Sequence, residues 1–539
     1  MPRNAREVDS TLVASPLSDV LDRRGVRPLL ALAAGCMLWL AAPNFDLWWL
    51  SLGAWALVLW ICDGQSLRRV AAYGLLMGTC VIFGGFTWMT ELLGRFAGMS
   101  LAPALGVHLL FSLYHGLLWA LPITLAHGLQ RRGAGPAYLT LPLCWAAAEL
   151  TFPQLFEVHV ACFWARHPQL IQLAEYIGAV GVGAVMVLAN GLLYGLISRW
   201  SHPRARIRLG GALLALSIGV PLFGVWRMEV IDARVDERPT LAIGIVQGNF
   251  GIESRRRLRR ESLHALQRMS TELEAEGAEV VVWGETTFPY GGFFRDSVTD
   301  LDPSDRRRVR RGFTVPVIFG LPTRDRREKR RRMWNTVWVL DGDDQLGDRY
   351  DKNYPLWFGE WVPLVDPDWY LDRFPNASYI HVGEQPAALR VAGYRLGPLI
   401  CYEDLLADFS RDVVDRDVHA LVAMNNESWF GRSRAQPAHL NLAILRTVEH
   451  RKALARSVNA GISAYIDPNG RVVQELAITD SDSDGYQGPG GFVANVPMME
   501  PEARTFYARV GSGWRWLSWL CLLGLALAAR IRRGPAPPK

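Results

Sequence analysis

Val281-Val282-Trp283-Gly284-Glu285-Thr286-Thr287-Phe288-Pro289 is a short β-branched and aromatic run that breaks at a glycine and then delivers a carboxylate. Leu396-Gly397-Pro398-Leu399-Ile400-Cys401-Tyr402-Glu403-Asp404 repeats the device with a thiol. Runs of the same character lie at 241–247, 315–321, 336–340 and 419–424, each bounded by Gly, Pro or acidic residues as buried strands are. Helical spacing fills 261–276 and 439–456. The segments 463–466 and 471–473 flank Asp467-Pro468-Asn469-Gly470, a hairpin turn signal. Strands alternating with helices predict an α/β domain over 230–510.

Outward from that domain the chain changes character. Half of its 539 residues are apolar, with 21 Trp and 20% charged residues, which is too apolar for a soluble enzyme and too charged to be membrane throughout. Apolar segments lie at 28–42, 45–62, 71–93, 101–129, 136–152, 169–197, 208–226 and 513–529. A bilayer core takes ~20 residues per helix. The first two are short and are expected to form a partly inserted hairpin around Pro43-Asn44. The others are long enough to span, giving an α-helical membrane bundle of about eight segments. The predicted organisation is a tail at 1–27, segments at 28–229, the α/β domain at 230–510, a last segment at 511–530 and a tail at 531–539.

Loop charge sets an expected orientation. Arg68 and Arg69, Arg131 and Arg132, Arg199 to Arg208, and Arg530 to Lys539 fall in alternate connections, and the connections between them are poor in basic residues. The positive-inside rule then places both termini in the cytoplasm and 230–510 on the outer, periplasmic face of the inner membrane. The net charge of +6 is small for this length and gives no reason to expect nucleic acid. The basic clusters at 306–311 and 324–332 read as solvated loops, with anionic lipid headgroups as the functional alternative.

Cys401 is the one cysteine in the long polar section, and no paired spacing suggests a disulfide framework or a metal site. A lone thiol is more often a small buried hydrophobe than a nucleophile. Its company changes that reading. Glu285, Lys352 in Tyr350-Asp351-Lys352-Asn353, and Cys401 supply what acyl transfer through a thioester needs: a base for a thiol that is mostly protonated at neutral pH, a cation for the oxyanion, and the nucleophile.

Glu, Lys and Cys in this order, with Phe358-Gly359-Glu360-Trp361-Val362-Pro363, Asn426-Glu427-Ser428-Trp429-Phe430-Gly431 and Arg456-Ser457-Val458-Asn459-Ala460-Gly461-Ile462, resemble the nitrilase superfamily. With membrane segments before and after the domain, the whole chain resembles the apolipoprotein N-acyltransferases. The resemblance implies an α-β-β-α sandwich, with Glu285 as base, Cys401 as nucleophile and Lys352 as oxyanion group. It also implies a Glu360 that orients Lys352, with a structural ion pair as the rival reading; the chemistry adds the Tyr402 N–H as a second oxyanion donor. Glu403 is either a supporting partner or only a strand-end carboxylate, and Asn335 and Trp429 are candidate pocket residues.

The implied reaction passes a fatty acyl chain from a phospholipid donor through Cys401 to the N-terminal amine of a diacylglyceryl-cysteine apolipoprotein. It uses no metal or organic cofactor, and a monomer is expected. Two alternatives compete: a membrane-tethered amidase or nitrile hydrolase with the same triad, and a non-enzymatic carrier, for which Glu149 and Glu175 in apolar segments are the best support. Three departures stand out: Trp-Gly-Glu for the family's usual Trp-Pro-Glu, a displaced Pro355 after Lys352, and no tryptophan in the 251–260 loop.

Overall fold

A computed structural model of the chain describes residues 25–43, 45–251, 258–291, 293–327, 332–357, 359–362, 365–373, 379–430, 433–476, 490–511 and 513–533. The expectations for the N-terminal tail to residue 24, for Asn44, for 252–257 in the altered loop, for 328–331 in the second basic cluster and for 534–539 lie outside these residues.

Among the described residues, five helices are long and apolar enough to cross a bilayer: Leu67–Gly85, Leu101–Arg131, Ala174–Ser198, Pro203–Val235 and Gly513–Arg532. Val26–Ala41 and Trp48–Cys62 are shorter apolar helices, and Ala137–Thr151 has 15 residues. Each apolar segment of the sequence is thus helical over most of its described length, and three of them break: 45–62 at Gly53, 71–93 after Gly85, and 169–197 at Gln172-Leu173. The 71–93 segment divides into Leu67–Gly85 and Trp88–Ala97. The break follows Gly84-Gly85, and a Cβ on Gly84 would lie 2.5 Å from Trp39, so the glycine allows close packing while weakening the helix. Ala174–Ser198 kinks at Gly178, which has φ 67°. The Tyr507 ring lies where a side chain at 178 would go. Trp55, Trp119 and Trp145 pack at the centre of the bundle, with ring centroids 4.9–5.5 Å apart. On Pro203–Val235, Ile207, Leu214, Leu222 and Trp226 are each more than half exposed, an apolar surface that water would penalise and lipid would not.

The α/β domain consists of two stacked sheets. Its strands are β1 Thr240–Gln247, β2 Val280–Trp283, β3 Val317–Thr323, β4 Arg332–Leu340, β5 Leu346–Asp351, β6 Tyr379–Ile380, β7 Leu389–Val391, β8 Tyr394–Ile400, β9 Ala420–Asn425, β10 Leu454–Val458, β11 Ser463–Ile466, β12 Val472–Leu476 and β13 Gly490–Pro497. One sheet runs β13-β1-β2-β3-β4-β5, with β6 beside β4, and the other runs β12-β11-β10-β9-β8-β7. β1, β2 and β3 are mutually parallel, as are β8, β9 and β10, and antiparallel strands flank both sets. The central parallel strands β2 and β9 are wholly buried aliphatic runs, which is why they are the easiest to read from sequence. Ser457 stitches the sheets together by donating to the carbonyls of Val246 (2.7 Å) and Val282 (3.2 Å). Helix Arg259–Ala275 covers the first sheet, and Ala407–Val414 with Ala435–His450 covers the second, completing the α-β-β-α sandwich.

One expectation fails. The helix expected at 439–456 stops at His450, because Arg451 takes a left-handed φ of 51° and the chain then enters β10. The buried strand Leu-Ala-Arg-Ser-Val reads as further helix only because its apolar residues continue the preceding spacing.

The domain is bolted to the bundle through charged pairs. Glu175, paired within the bundle to Arg227 (2.7 Å), meets Arg451 of the domain (2.5 Å), and Asp232 meets Arg471 (2.7 Å). Glu449 accepts the Ala179 N–H at 2.7 Å, capping the helix where Gly178 breaks it. Glu175 therefore serves docking rather than a transport path.

Candidate active site

Each of the three expected residues follows directly on a strand. Glu285 comes after β2 and Gly284, Lys352 after β5, and Cys401 after β8. Gly284 lies against the other sheet: a Cβ there would be 2.9 Å from the Asn459 nitrogen and 3.0 Å from the Asn425 oxygen. The Trp-Gly-Glu departure thus sits where the two sheets touch. Cys401 opens a 3-10 turn, Cys401–Leu405, with φ 54°, a left-handed conformation costing a non-glycine residue ~1–3 kcal/mol.

Glu403 holds that turn in place. One of its oxygens accepts the Ile400 N–H (2.8 Å). The other accepts the N–H groups of Asn353 (2.6 Å) and Tyr354 (3.0 Å) and the Tyr350 hydroxyl (2.7 Å). A single buried carboxylate therefore ties the thiol's turn to the end of the lysine's strand. Burial pushes its pKa up to about 7, against the pull of these donors. Of the two sequence readings of Glu403, the supporting partner is the one this geometry fits.

Around the lysine, Nζ lies 3.2 Å from Glu285 Oε1 and 2.8 Å from Glu360 Oε2. Asn335 donates to Glu285 Oε1 at 2.6 Å and to Glu360 Oε1 at 3.4 Å, and the Leu356 N–H donates to Glu360 Oε2 at 2.7 Å. Asn335 is more than a pocket wall, since it fixes both carboxylates relative to the ammonium. The Trp429 side chain lies outside the described residues; its backbone belongs to the turn Ser428–Phe430. Tyr402 packs edge-on against Phe156, with ring centroids 5.4 Å apart, and its hydroxyl accepts the Glu157 N–H at 3.3 Å.

The electrostatics set the resting protonation. Burial raises the Cys401 thiol well above its ordinary value, Glu285 raises it further, and Lys352 opposes them. The thiol is therefore protonated at rest and needs a base. Burial also raises Glu285; Lys352 works against this and Glu360 adds to it, which makes Glu285 a better proton acceptor. Burial works against the charge on Lys352, but Glu285 and Glu360 outweigh it and hold the ammonium well above its usual value.

A cavity with about 110 Å³ of water-sized space ends on Cys401 and Tyr402. Its walls include Trp88, Trp119, Phe156, Val158, Leu356 and Phe430, so it runs from the sandwich into the helical bundle.

Residues 34–192 match the family model described as the apolipoprotein N-acyltransferase N-terminal domain, and residues 243–482 match that described as carbon-nitrogen hydrolase. The chain belongs to the apolipoprotein N-acyltransferase family. It is an acyltransferase built on a carbon-nitrogen hydrolase domain. Among its relatives, the apolipoprotein N-acyltransferase of Geobacter metallireducens is 26% identical, covering 97% of this chain and 98% of that one. The Pseudomonas putida enzyme of the same name is 28% identical, covering 83% and 88%. Among solved structures, an amidase from Nesterenkonia sp. is 16% identical with a TM-score of 0.35, covering 51% of this chain and 96% of that one.

The Cys401–Leu405 turn is also tied into a buried charge network that the sequence did not reveal. His439 bridges Asp404 (2.5 Å) and Glu427 (2.9 Å), and Arg456 reaches Glu427 (2.5 Å) and Asp404 (3.4 Å). These residues come from the nucleophile's turn, the end of β9, a helix and β10, so no local spacing connects them. Burial works against a charge on His439, but Asp404 and Glu427 hold its pKa up to about 9. Its folded value thus lies above the ordinary 6.5. The stability it contributes is complete below pH 6.5 and is lost as the pH climbs to about 9. The apparent Tm of the detergent-solubilised acyltransferase should fall across that window, and His439→Gln should flatten the fall. A wild-type Tm that is constant from about pH 6.5 to 9 would contradict this role.

In the first basic cluster, three of the five arginines have carboxylate partners among the described residues. Arg308 pairs with Asp344, Arg310 is buried 3.0 Å from Asp344, and Arg307 meets Asp305 at 2.7 Å. Among the described residues, Arg311 bonds only to the backbone carbonyls of Pro303 (3.0 Å) and Asp305 (2.8 Å).

Glu360→Gln tests how the pair around Lys352 is set. Removing that charge takes away one of the causes that raise Glu285, so the acid limb of the rate profile should move to lower pH. The maximal rate should fall about 10-fold or more as Lys352 loses an orienting partner. An unshifted acid limb with full activity would make Glu360 a structural ion pair only.

Proposed function

We propose that this apolipoprotein N-acyltransferase works by two half-reactions at Cys401. The supporting observation is the aromatic-walled cavity that leads from the bundle to the thiol, a shape suited to a fatty acyl chain. In the first half, Glu285 takes the thiol proton and the thiolate attacks an ester carbonyl of a phospholipid. Lys352 and the Tyr402 N–H stabilise the tetrahedral oxyanion. The lysophospholipid leaves as its alkoxide accepts the proton from Glu285, and the acyl group remains on sulfur.

In the second half, the α-amine of a diacylglyceryl-cysteine attacks the thioester. Glu285 takes the ammonium proton and returns it to the departing thiolate. Both substrates are lipids, and a site reached from the bundle keeps water from the thioester.

Orientation follows from loop charge: an inner-membrane protein with the sandwich on the periplasmic side. The amidase reading would call for a water-open pocket at Cys401, and the wall of Trp88, Trp119, Phe156 and Phe430 suits an acyl chain instead.

Steady-state rates with phospholipid and a diacylglyceryl-cysteine peptide both varied should give parallel double-reciprocal lines, with one lysophospholipid released per peptide acylated. Intersecting lines, or hydrolysis of a small amide at a higher rate, would contradict the proposal.

A further inference from the structure

The apolar cavity at Cys401 has a floor. At its sandwich end, Trp88 packs on Phe430 with ring centroids 4.9 Å apart, and Phe156 packs on Tyr402. At the other end the wall is made by Val81 on Leu67–Gly85, Trp119 on Leu101–Arg131 and Trp145 on Ala137–Thr151. One turn further from the sandwich on each of these helices stand Met77, Ile123 and Leu141. All three are fully buried, and none of them lines the cavity. The void therefore stops at one level across three helices, and two indole rings fill most of that level.

Both rings are held in place. Their centroids lie 4.9 Å apart, and both pack on the fully buried Trp55. Trp119 rests on the neighbouring helix at Gly78, where a Cβ would stand 2.6 Å from its own. The Trp145 indole N–H donates to Glu149 Oε2 at 2.6 Å, and Glu149 Oε1 meets His159 Nδ1 at 3.0 Å. Glu149 is a buried carboxylate in an apolar segment, and one of its two oxygens is spent on fixing a cavity wall. Methionine at such a place would yield to a longer ligand; close-packed, hydrogen-bonded indoles do not.

We propose that Trp119 and Trp145 set the longest acyl chain that Cys401 accepts, and that Glu149 is the positioning residue that holds Trp145 in the floor. This rests on the acyl transfer through Cys401 proposed above. A chain whose carbonyl is fixed at the thiol gains wall contact with every methylene until its terminal methyl meets the indoles. Beyond that length the chain must buckle or its carbonyl must leave the thiol. One methylene too many in a closed apolar pocket costs ~10–200-fold in rate.

The test offers detergent-solubilised full-length protein a mixture of phospholipids that share one headgroup and carry acyl chains of graded length. Intact mass after a single turnover reads the ratio of long-chain to short-chain thioester on Cys401. All donors compete for the same thiol in one sample, so the ratio does not depend on how much of a variant is folded. The wild type should show an upper limit, with the first chain beyond it loading at least ~10-fold less than the longest one accepted. Trp119→Phe should move that limit to longer chains and Trp119→Leu further, each raising the ratio at the first excluded length roughly tenfold or more. Glu149→Leu leaves the Trp145 N–H without its acceptor and should raise the same ratio. Glu149→Gln keeps an acceptor oxygen there and should restore the wild-type limit, a rescue that loss of general stability would not produce.

A wild type without an upper limit, or a limit that stays in place in both Trp119 variants, would overturn the inference. An unmoved limit in Glu149→Leu would overturn the positioning role of Glu149. These outcomes are read on a thioester that does form. A wild type that forms none would instead sink the acyl-transfer reading, and this inference with it.

Discussion

Cys401→Ala should form no acyl thioester, and peptide acylation should fall on the order of 10⁶-fold, the loss expected when a covalent nucleophile is removed. The site's construction makes the loss specific. The thiol stands on a turn at φ 54° that Glu403 holds through Ile400, and neither feature involves sulfur. Alanine keeps the backbone, the turn and the Glu285–Lys352–Glu360 array, so stability should change little. Serine should fare no better than alanine, because its hydroxyl is a far weaker acid than a thiol and Glu285 is set to take a thiol proton. Measuring loading by intact mass and turnover by peptide acylation on the same preparations separates chemistry from folding. Acylation by Cys401→Ala within about tenfold of wild type would place the nucleophile elsewhere.

Glu285→Gln should slow both half-reactions about 10²–10⁴-fold, the usual worth of a positioned general base. Glutamine preserves an oxygen that can accept from Asn335, now at 2.6 Å from Glu285, and leaves Lys352 paired with Glu360 at 2.8 Å. The buried ammonium is therefore not left without a partner, which otherwise costs ~3–5 kcal/mol. The base is lost while the shape is kept. Because the thiol is held well above its ordinary value, the variant should also regain rate as pH rises and direct ionisation replaces the base. Single-turnover loading from about pH 6 to 10 measures this. Wild-type kinetics in the variant would remove Glu285 from the mechanism.

The candidate trio was legible because two of its members close the parallel strands β2 and β8, whose aliphatic runs announce themselves. Lys352 was legible only by resemblance. Its strand β5, Leu346-Gly347-Asp348-Arg349-Tyr350-Asp351, is half polar and only partly buried, and periodicity alone does not mark it. A place at a sheet edge hid β7 in the same way, whereas β12 was read in part, as the 471–473 arm of the hairpin. The membrane segments were legible as apolar lengths, but their breaks were not. Gly178 and Gly84 matter because of what packs on them, Tyr507 and Trp39, far away in sequence.

The same limit applies to the polar residues. Glu403 could not be ranked from its position next to the nucleophile, because its value lies in reaching Tyr350, Asn353 and Tyr354 at the end of another strand. Asn335 looked like a minor pocket residue until its amide was seen to touch two carboxylates. The Asp404–Glu427–His439–Arg456 network left no sequence signal, since buried ion pairs carry no periodicity. Conversely, the Arg-rich run at 306–311 signals a surface by composition, yet Arg310 is buried by its bonds to Thr314, Gly342 and Asp344.

The most direct test of the central claim is the intact mass of the purified protein after incubation with a phospholipid of defined acyl chains and no acceptor. The account predicts a gain of one fatty acyl mass, mapped to Cys401, released by neutral hydroxylamine and discharged on adding a diacylglyceryl-cysteine peptide. An unchanged mass while the peptide still becomes acylated, or an adduct that persists in Cys401→Ala, would contradict it.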